Sequence, residues 1–220
     1  MKLLSLFKRS VRGFTLVELM VSIAIMMLMT WLLLSNYPES AIRMTLINNV
    51  QTTTLLIREA QIRGSAIDSV NSSLGGYGIY INLVGGNTLS SIKLFGDSVG
   101  VGNGGGQSSY GLPIGNGLYD LTPIDETSSN TTLPSGYKIT KICVGQAPSS
   151  VCSSDPNTSL TVSFVRPSPR PSIYLNGSKT TNYSKACIEF KSPIKYSNGH
   201  TRSVEVYNSG MIRTAIASCI

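Results

Sequence analysis

The hydrophobic pattern divides the chain into three parts. Residues 14–34 (FTLVELMVSIAIMMLMTWLLL) are apolar almost throughout and contain a single charge, Glu18. A helix of this length spans about 32 Å, enough to cross the hydrocarbon core of a bilayer. A short basic segment comes before it, and a long body rich in Ser, Thr, Asn and Gly follows. The pattern therefore predicts a leader (residues 1–13), a transmembrane helix (14–34) and a polar domain beyond it.

The charge of the leader predicts how the span is oriented. Residues 1–13 contain four basic side chains and no acidic one. Basic residues that flank a membrane span stay on the cytoplasmic side. We therefore expect a single-pass cell membrane protein with its leader in the cytoplasm and its body outside. The net charge of +7 owes much to this leader, so it does not by itself indicate binding to nucleic acid.

Helical periodicity resumes at about residue 39, after Pro38. The proline predicts a kink or a short unwound step. Beyond it, apolar or small side chains recur every three or four residues, and Gly64 is a natural C-cap. We expect one long helix over residues 14–64 whose second half packs on a sheet. The stripe consists of Ile42, Leu46, Val50, Thr53, Ile57 and Ala60.

The rest of the chain, residues 65–220, has the pattern of a β-rich head. Short segments with β-branched or aromatic residues alternate with turn-forming ones, and Asn208-Ser209-Gly210 predicts a hairpin turn. No long helical period appears after Gly64. The predicted fold class is α+β, with one long helix packed against an antiparallel β-sheet. The predicted strands are residues 77–84, 89–95, 137–144, 159–166, 172–175, 186–191, 202–207 and 211–216.

All four cysteines lie in the head: Cys143, Cys152, Cys187 and Cys219. An even number in an exported domain indicates two disulfides, for which three pairings exist. Cys143 and Cys152 enclose a short loop, which favours a local bridge and leaves Cys187 to bond Cys219. A zinc site with four thiolates is the alternative, but the paired C-x2-C spacing of such sites is missing.

The sequence RGFTLVEL (residues 12–19) stands where the leader meets the span. It closely resembles the type IV prepilin signature, in which a short basic leader ends in Gly and Phe-Thr-Leu-(Val/Ile)-Glu-Leu opens the helix. A secretory signal peptide would have a shorter apolar region with a small-x-small site after it. A plain anchor would not explain Glu18, because an acid in a membrane helix is costly and usually functional.

The resemblance implies a site and a role. A prepilin peptidase would cut between Gly13 and Phe14, and Phe14 would become the N-methylated first residue of the mature protein. Glu18 would act in assembly by pairing with the terminal ammonium of a neighbouring subunit's Phe14. The implied fold is the pilin fold, and the implied function is a major or minor pilin or pseudopilin in a type IV pilus or a type II secretion-like filament. The implied partners are other pilin subunits, the peptidase, assembly platform proteins and the membrane.

The head is similar to GspH/FimT-like pseudopilins and minor pilins in residues 76–80, 94–97, 162–169 and 202–213. The resemblance implies that the filament is extracellular or periplasmic. One competing hypothesis is a membrane-tethered exported β-domain that does not polymerise.

A second alternative is a minor pilin that binds DNA for uptake. Clustered Arg and Lys bind phosphates with a steep salt dependence. The candidate polyanion site consists of Arg166, Arg170, Arg202 and Arg213. We expect instead that the basic residues are spread over the sheet and keep the head soluble.

Metal binding and catalysis have weak support. Asp120, Asp125 and Glu126 form a weak calcium candidate beside the Gly/Ser/Asn-rich residues 98–118. A hard cation needs six to eight oxygen ligands, so we expect a solvated loop. His200 is the only histidine, and the sequence contains no P-loop, H-E-x-x-H or G-x-S-x-G motif. We therefore expect no catalytic activity and no cofactor.

Overall fold

A computed structural model describes residues 13–66, 76–83, 90–97, 115–120, 126–146, 149–165, 170–178, 183–193 and 200–219. In these residues one helix, α1 (Leu16–Ser65), precedes ten strands. The strands are β1 (Tyr77–Asn82), β2 (Ser91–Gly96), β3 (Thr127–Thr132), β4 (Lys138–Gln146), β5 (Ser149–Ser153), β6 (Ser159–Phe164), β7 (Pro171–Leu175), β8 (Lys185–Lys191), β9 (Thr201–Tyr207) and β10 (Ile212–Ala215). The α+β class predicted from the sequence is confirmed.

The chain forms two compact units, Met1–Ala41 and Ile42–Ile220. Helix α1 is assigned continuously from Leu16 to Ser65, so the unwound step expected near Pro38 is absent. A proline in a helix removes one amide donor, and its ring crowds the carbonyl of the preceding turn. Neither effect ends the helix here.

The strands form two antiparallel sheets rather than the single sheet predicted. The first has the order β3-β2-β1-β6-β7 and the second the order β10-β9-β8-β4-β5. Strands β3 (TSSNTT) and β5 (SSVCS) are not among the predicted strands; both are edge strands and rich in Ser and Thr. An edge strand pairs on one side only and can remain solvated, so it needs no apolar alternation. Residues 84, 89 and 166, predicted as strand ends, lie outside the described residues.

One buried core joins the second half of α1 to both sheets. The predicted helical stripe is buried, except that Ile42 is only partly covered. Alternate residues of most strands reach the same core, such as Leu160 and Val162 in the first sheet and Ile142 and Val144 in the second. Burial of these side chains stabilises the head by roughly 1.5–3 kcal/mol each.

Gly64 lies inside the last turn of α1, and the predicted C-cap is wrong. A Cβ at this position would come within 2.5 Å of the backbone oxygen of Phe164, at the end of β6. Glycine is therefore required because the helix approaches the sheet closely here. The predicted hairpin turn is present between β9 and β10, where Gly210 has a φ of 87°.

Candidate processing and assembly site

The predicted cleavage position lies just outside α1. Residues 13–15 are not helical, and both Gly13 and Phe14 are exposed. The exposed fraction of the Phe14 side chain is 79%, and no neighbouring atom lies within 4 Å of the space where a Cβ on Gly13 would be. The Gly13–Phe14 bond is therefore not covered by any part of the chain that the structure describes.

Thr15 fixes the start of the helix. The backbone N–H of Glu18 donates to Thr15 Oγ1 at 3.2 Å, and the N–H of Leu19 donates to the Thr15 carbonyl at 3.2 Å. These bonds make Thr15 the N-cap, which satisfies a donor that the first turn would otherwise leave open. This role was not predicted, although the Thr-x-x-Glu spacing of residues 15–18 is that of a capping box.

Glu18 stands in the first turn of α1 and is exposed. A negative charge there interacts favourably with the positive end of the helix dipole. The hydroxyl of Ser22 donates to the Glu18 backbone carbonyl at 2.7 Å. Glu18 thus lies four residues after Phe14, the predicted new N-terminus.

The apolar segment after Glu18 is uncovered. Every residue from 14 to 34 is exposed, and the described residues contain one helix long and apolar enough to span a membrane. Monomeric soluble proteins do not leave so large an apolar surface in water. Lipid or other protein chains must cover it.

In the head, the four cysteines form two disulfides on the second sheet. Cys143 is bonded to Cys152 and Cys187 to Cys219, the pairing that the loop length favours. The thiolates that a zinc site would need are therefore all used in disulfides.

Glu189 holds the segment that contains Cys219 against β8. It accepts hydrogen bonds from Thr140 Oγ1 at 2.7 Å, from the Cys219 N–H at 3.2 Å and from Ser218 Oγ. Lys141 Nζ donates to the Cys219 carbonyl at 3.0 Å. Burial raises the pKa of Glu189, but these donors outweigh it and the net pKa lies below the ordinary value.

Glu205 is a second buried acceptor. It pairs with Lys185 at 2.7 Å and Arg213 at 2.6 Å, and it accepts a hydrogen bond from the Tyr207 hydroxyl at 3.0 Å. Burial raises its pKa, and the bonds from Lys185, Arg213 and Tyr207 lower it further than burial raises it. No sequence signal marked Glu189 or Glu205, because most of their partners lie on other strands or segments.

The four arginines proposed as a polyanion site are not brought together where the structure describes them. Arg213 lies opposite Glu205, whereas Arg202 is three residues from Glu205 along β9 and projects from the other face. Arg170 precedes β7 in the first sheet. Arg166 lies outside the described residues. Arg202 and Arg213 thus lie on opposite faces of the second sheet, and Arg170 precedes a strand of the first.

The acidic candidates have partners within the chain. Asp120 Oδ2 accepts from Asn116 Nδ2 at 2.6 Å, and Glu126 Oε2 accepts from the Asp120 N–H at 3.0 Å. Asp125 lies outside the described residues. The residues that the structure describes contain no group of three His, Cys, Asp or Glu side chains placed to hold a metal ion. The backbone N–H of His200 donates to Ser192 Oγ, just before β9.

Comparison with known proteins bears on the N-terminal site. A family model described as the prokaryotic N-terminal methylation motif matches residues 8–34. No curated protein and no solved structure matches the chain, so the similarity of the head to GspH/FimT-like proteins stays a prediction. The match covers the leader end, Gly13, Phe14, Glu18 and the exposed apolar helix. Residues 8–34 thus carry the prepilin signature of type IV pilins and pseudopilins. This signature and the apolar helix that follows it indicate a membrane-anchored, exported protein.

Proposed function

We propose that the chain is a structural subunit of a type IV pilus or a type II secretion-like filament, and that it is made as a prepilin. One observation carries this proposal: the methylation motif opens an apolar helix that no described part of the chain covers. Such a helix needs lipid before assembly and neighbouring subunits after it. A filament core built from these helices provides the second environment.

Processing is the first step of the proposed function. A prepilin peptidase cuts between Gly13 and Phe14 on the cytoplasmic side, which removes the basic leader and keeps the anchor. Support comes from the exposure of both residues and from Thr15, which starts the helix after the bond. Cleavage creates a terminal ammonium on Phe14, which is then N-methylated.

Glu18 has the chemistry for an assembly contact. Alone in an apolar environment, an ionised carboxylate is poorly solvated. A neighbouring subunit's Phe14 ammonium would neutralise it and supply hydrogen bonds. The need to satisfy both charges favours one axial register between subunits, whether or not the pair adds net stability.

The head supplies the outer surface of this filament. Its apolar side chains share one buried core, and its four cysteines form disulfides. We therefore expect the head to fold in the same way whether lipid or other subunits surround the anchor. Assembly platform proteins and other pilin subunits are the proposed partners. The same leader serves major pilins, minor pilins and pseudopilins, and the filament type is decided by which system incorporates the chain.

The first test is the intact mass and N-terminal residue of the full chain, expressed with and without a prepilin peptidase. The proposal expects a chain that begins at methylated Phe14 only when the peptidase is present. A chain that keeps residues 1–13, or that is cut beyond residue 34, would overturn it.

The second test separates a filament subunit from a tethered domain that does not polymerise. Glu18→Val and Glu18→Gln remove the charge, and Ser22→Val is the control because it changes another exposed polar residue one turn away. We expect processing and membrane insertion in all three variants, but loss of filament incorporation only in the Glu18 variants. Normal incorporation of both Glu18 variants would contradict the assigned role.

A further inference from the structure

Three cysteines lie in a row across the second sheet. Cys143 in β4 is directly opposite Cys152 in β5 on one side and directly opposite Cys187 in β8 on the other. Directly opposed residues of antiparallel strands project from the same face, with their Cβ atoms about 4.5–5.5 Å apart. The bond to Cys152 already joins one such pair, across a Cα separation of 4.0 Å. Cys143 therefore has a second partner within reach, on its other side.

The four sulfurs differ in their access to solvent. Cys143, Cys187 and Cys219 pack together as a buried cluster, separate from the main core. Cys152 is exposed at the edge strand. An external thiol can therefore reach the Cys143–Cys152 disulfide at Cys152, while the Cys187–Cys219 disulfide is protected from direct attack.

We propose that Cys152 is the entry site of a thiol–disulfide exchange that passes through Cys143 to Cys187 and frees Cys219. The attacking group is a low-molecular-weight thiol or the cysteine of an oxidoreductase. Its thiolate bonds to Cys152 Sγ, the Cys143–Cys152 bond breaks, and Cys143 leaves as a thiolate.

The second step takes place inside the buried cluster. The Cys143 thiolate attacks Cys187 Sγ, the Cys187–Cys219 bond breaks, and Cys219 leaves as a thiolate that takes a proton from water. One external thiol is consumed as a mixed disulfide on Cys152. The chain keeps one internal disulfide, Cys143–Cys187, and gains one thiol, so atoms and electrons balance.

The exchange removes the covalent attachment of residues 216–219 to β8. With Cys219 bonded, this segment is covalently attached to β8 and hydrogen-bonded to Glu189 and Lys141. After exchange only the hydrogen bonds remain. The sheet keeps its backbone pairing, because Cys143 and Cys187 are already cross-strand neighbours. The inference does not depend on whether the chain assembles into a filament.

The test uses the full chain in detergent with the substitution Cys152→Ser. This variant leaves Cys143 as a thiol beside the Cys187–Cys219 disulfide. After equilibration at neutral pH, the sample is quenched with acid, unfolded and alkylated, and the labelled peptides are identified by mass spectrometry. We expect label on both Cys143 and Cys219, together with a Cys143–Cys187 linked peptide. Label on Cys143 alone would overturn the proposal.

The matched control is Cys143→Ser, which leaves the exposed Cys152 as the odd thiol. Because β4 separates β5 from β8, Cys152 should not reach Cys187, and label is expected on Cys152 alone. Label on Cys219 in this variant would show exchange without Cys143 and would overturn the relay.

The wild-type chain provides a measurement that does not depend on the folding of either variant. It is treated with reduced glutathione and quenched with acid. The expected product has glutathione on Cys152, a Cys143–Cys187 bond and a free Cys219. Glutathione on Cys152 with an intact Cys187–Cys219 bond, or glutathione on Cys143, would contradict the proposed path.

Discussion

The two halves of α1 share one secondary structure but differ in what covers them. In the first half apolar residues occupy every side of the helix, and all are exposed in the chain. In the second half they form a stripe, and the head buries it. A helix that is apolar all round requires an environment from outside the chain, whereas a striped helix can be satisfied by its own domain. The distribution of apolar residues therefore separates the half that needs lipid or other chains around it from the half that packs into its own head.

The sharpest test of this comparison removes the same side chain from each half. Ile57 is fully buried, and Ile25 is 55% exposed. Ile57→Ala should lower the free energy of unfolding of the head by about 2–5 kcal/mol, because it leaves a cavity. Ile25→Ala should leave it unchanged. Chemical denaturation of the full chain in detergent, followed by near-ultraviolet circular dichroism, measures both. Equal losses would break the comparison.

The second prediction concerns the close contact between α1 and β6. Gly64→Ala should destabilise the head by about 1–3 kcal/mol, because the added methyl group meets the Phe164 carbonyl and must displace the helix. Ser65→Ala, at the exposed next position, is the control and should change stability little. A Gly64→Ala chain as stable as the wild type, by the same denaturation, would mean that glycine is not required there.

The third prediction concerns how the buried carboxylates of the head make its free energy of unfolding depend on pH. The pKa of Glu189 and that of Glu205 lie below their ordinary value of 4.5. Folding therefore favours the charged forms, so their contribution is complete above about pH 5 and is lost as the pH falls through the folded-state pKa values.

Glu189→Gln should cost about 1–2 kcal/mol at neutral pH, because the amide presents one carbonyl oxygen to donors that now share two carboxylate oxygens. Its difference from wild type should shrink as the pH falls below 4.5. Denaturation measured between pH 7 and pH 3 checks both statements. The control is Glu59→Gln, because Glu59 is only partly buried and pairs with Arg63 one helical turn away. A difference that stays constant with pH would contradict the role of the carboxylate charge.

The smallest expected effect is local to the start of α1. Thr15→Val removes the cap and should weaken the first helical turn by about 1 kcal/mol, with no change in the head. Faster exchange of the Glu18 amide proton in micelles, measured by NMR, would report it. Thr30→Val is the control, because the Thr30 hydroxyl bonds to the Met26 carbonyl in the helix interior and caps nothing. Unchanged exchange at Glu18 would remove Thr15 from the start of the helix.

The sequence by itself determined the features that are local in the chain. The apolar span, the N-terminal methylation motif, the helical stripe and the turn at Gly210 each depend on residues within a few positions of one another. The α+β class follows from them, because a long periodic segment is followed by short alternating ones. The Thr15 cap could also have been found, since the Thr-x-x-Glu spacing was present.

Only the tertiary structure decided the features that arise from pairing between distant residues. The division into two sheets, the polar edge strands β3 and β5 and the close approach at Gly64 depend on which strands become neighbours. The same holds for Glu189 and Glu205, most of whose donors come from other parts of the fold, and for Cys143, which lies between two possible partners. A sequence shows which chemical groups a residue carries, but strand order and register determine which other residues those groups contact.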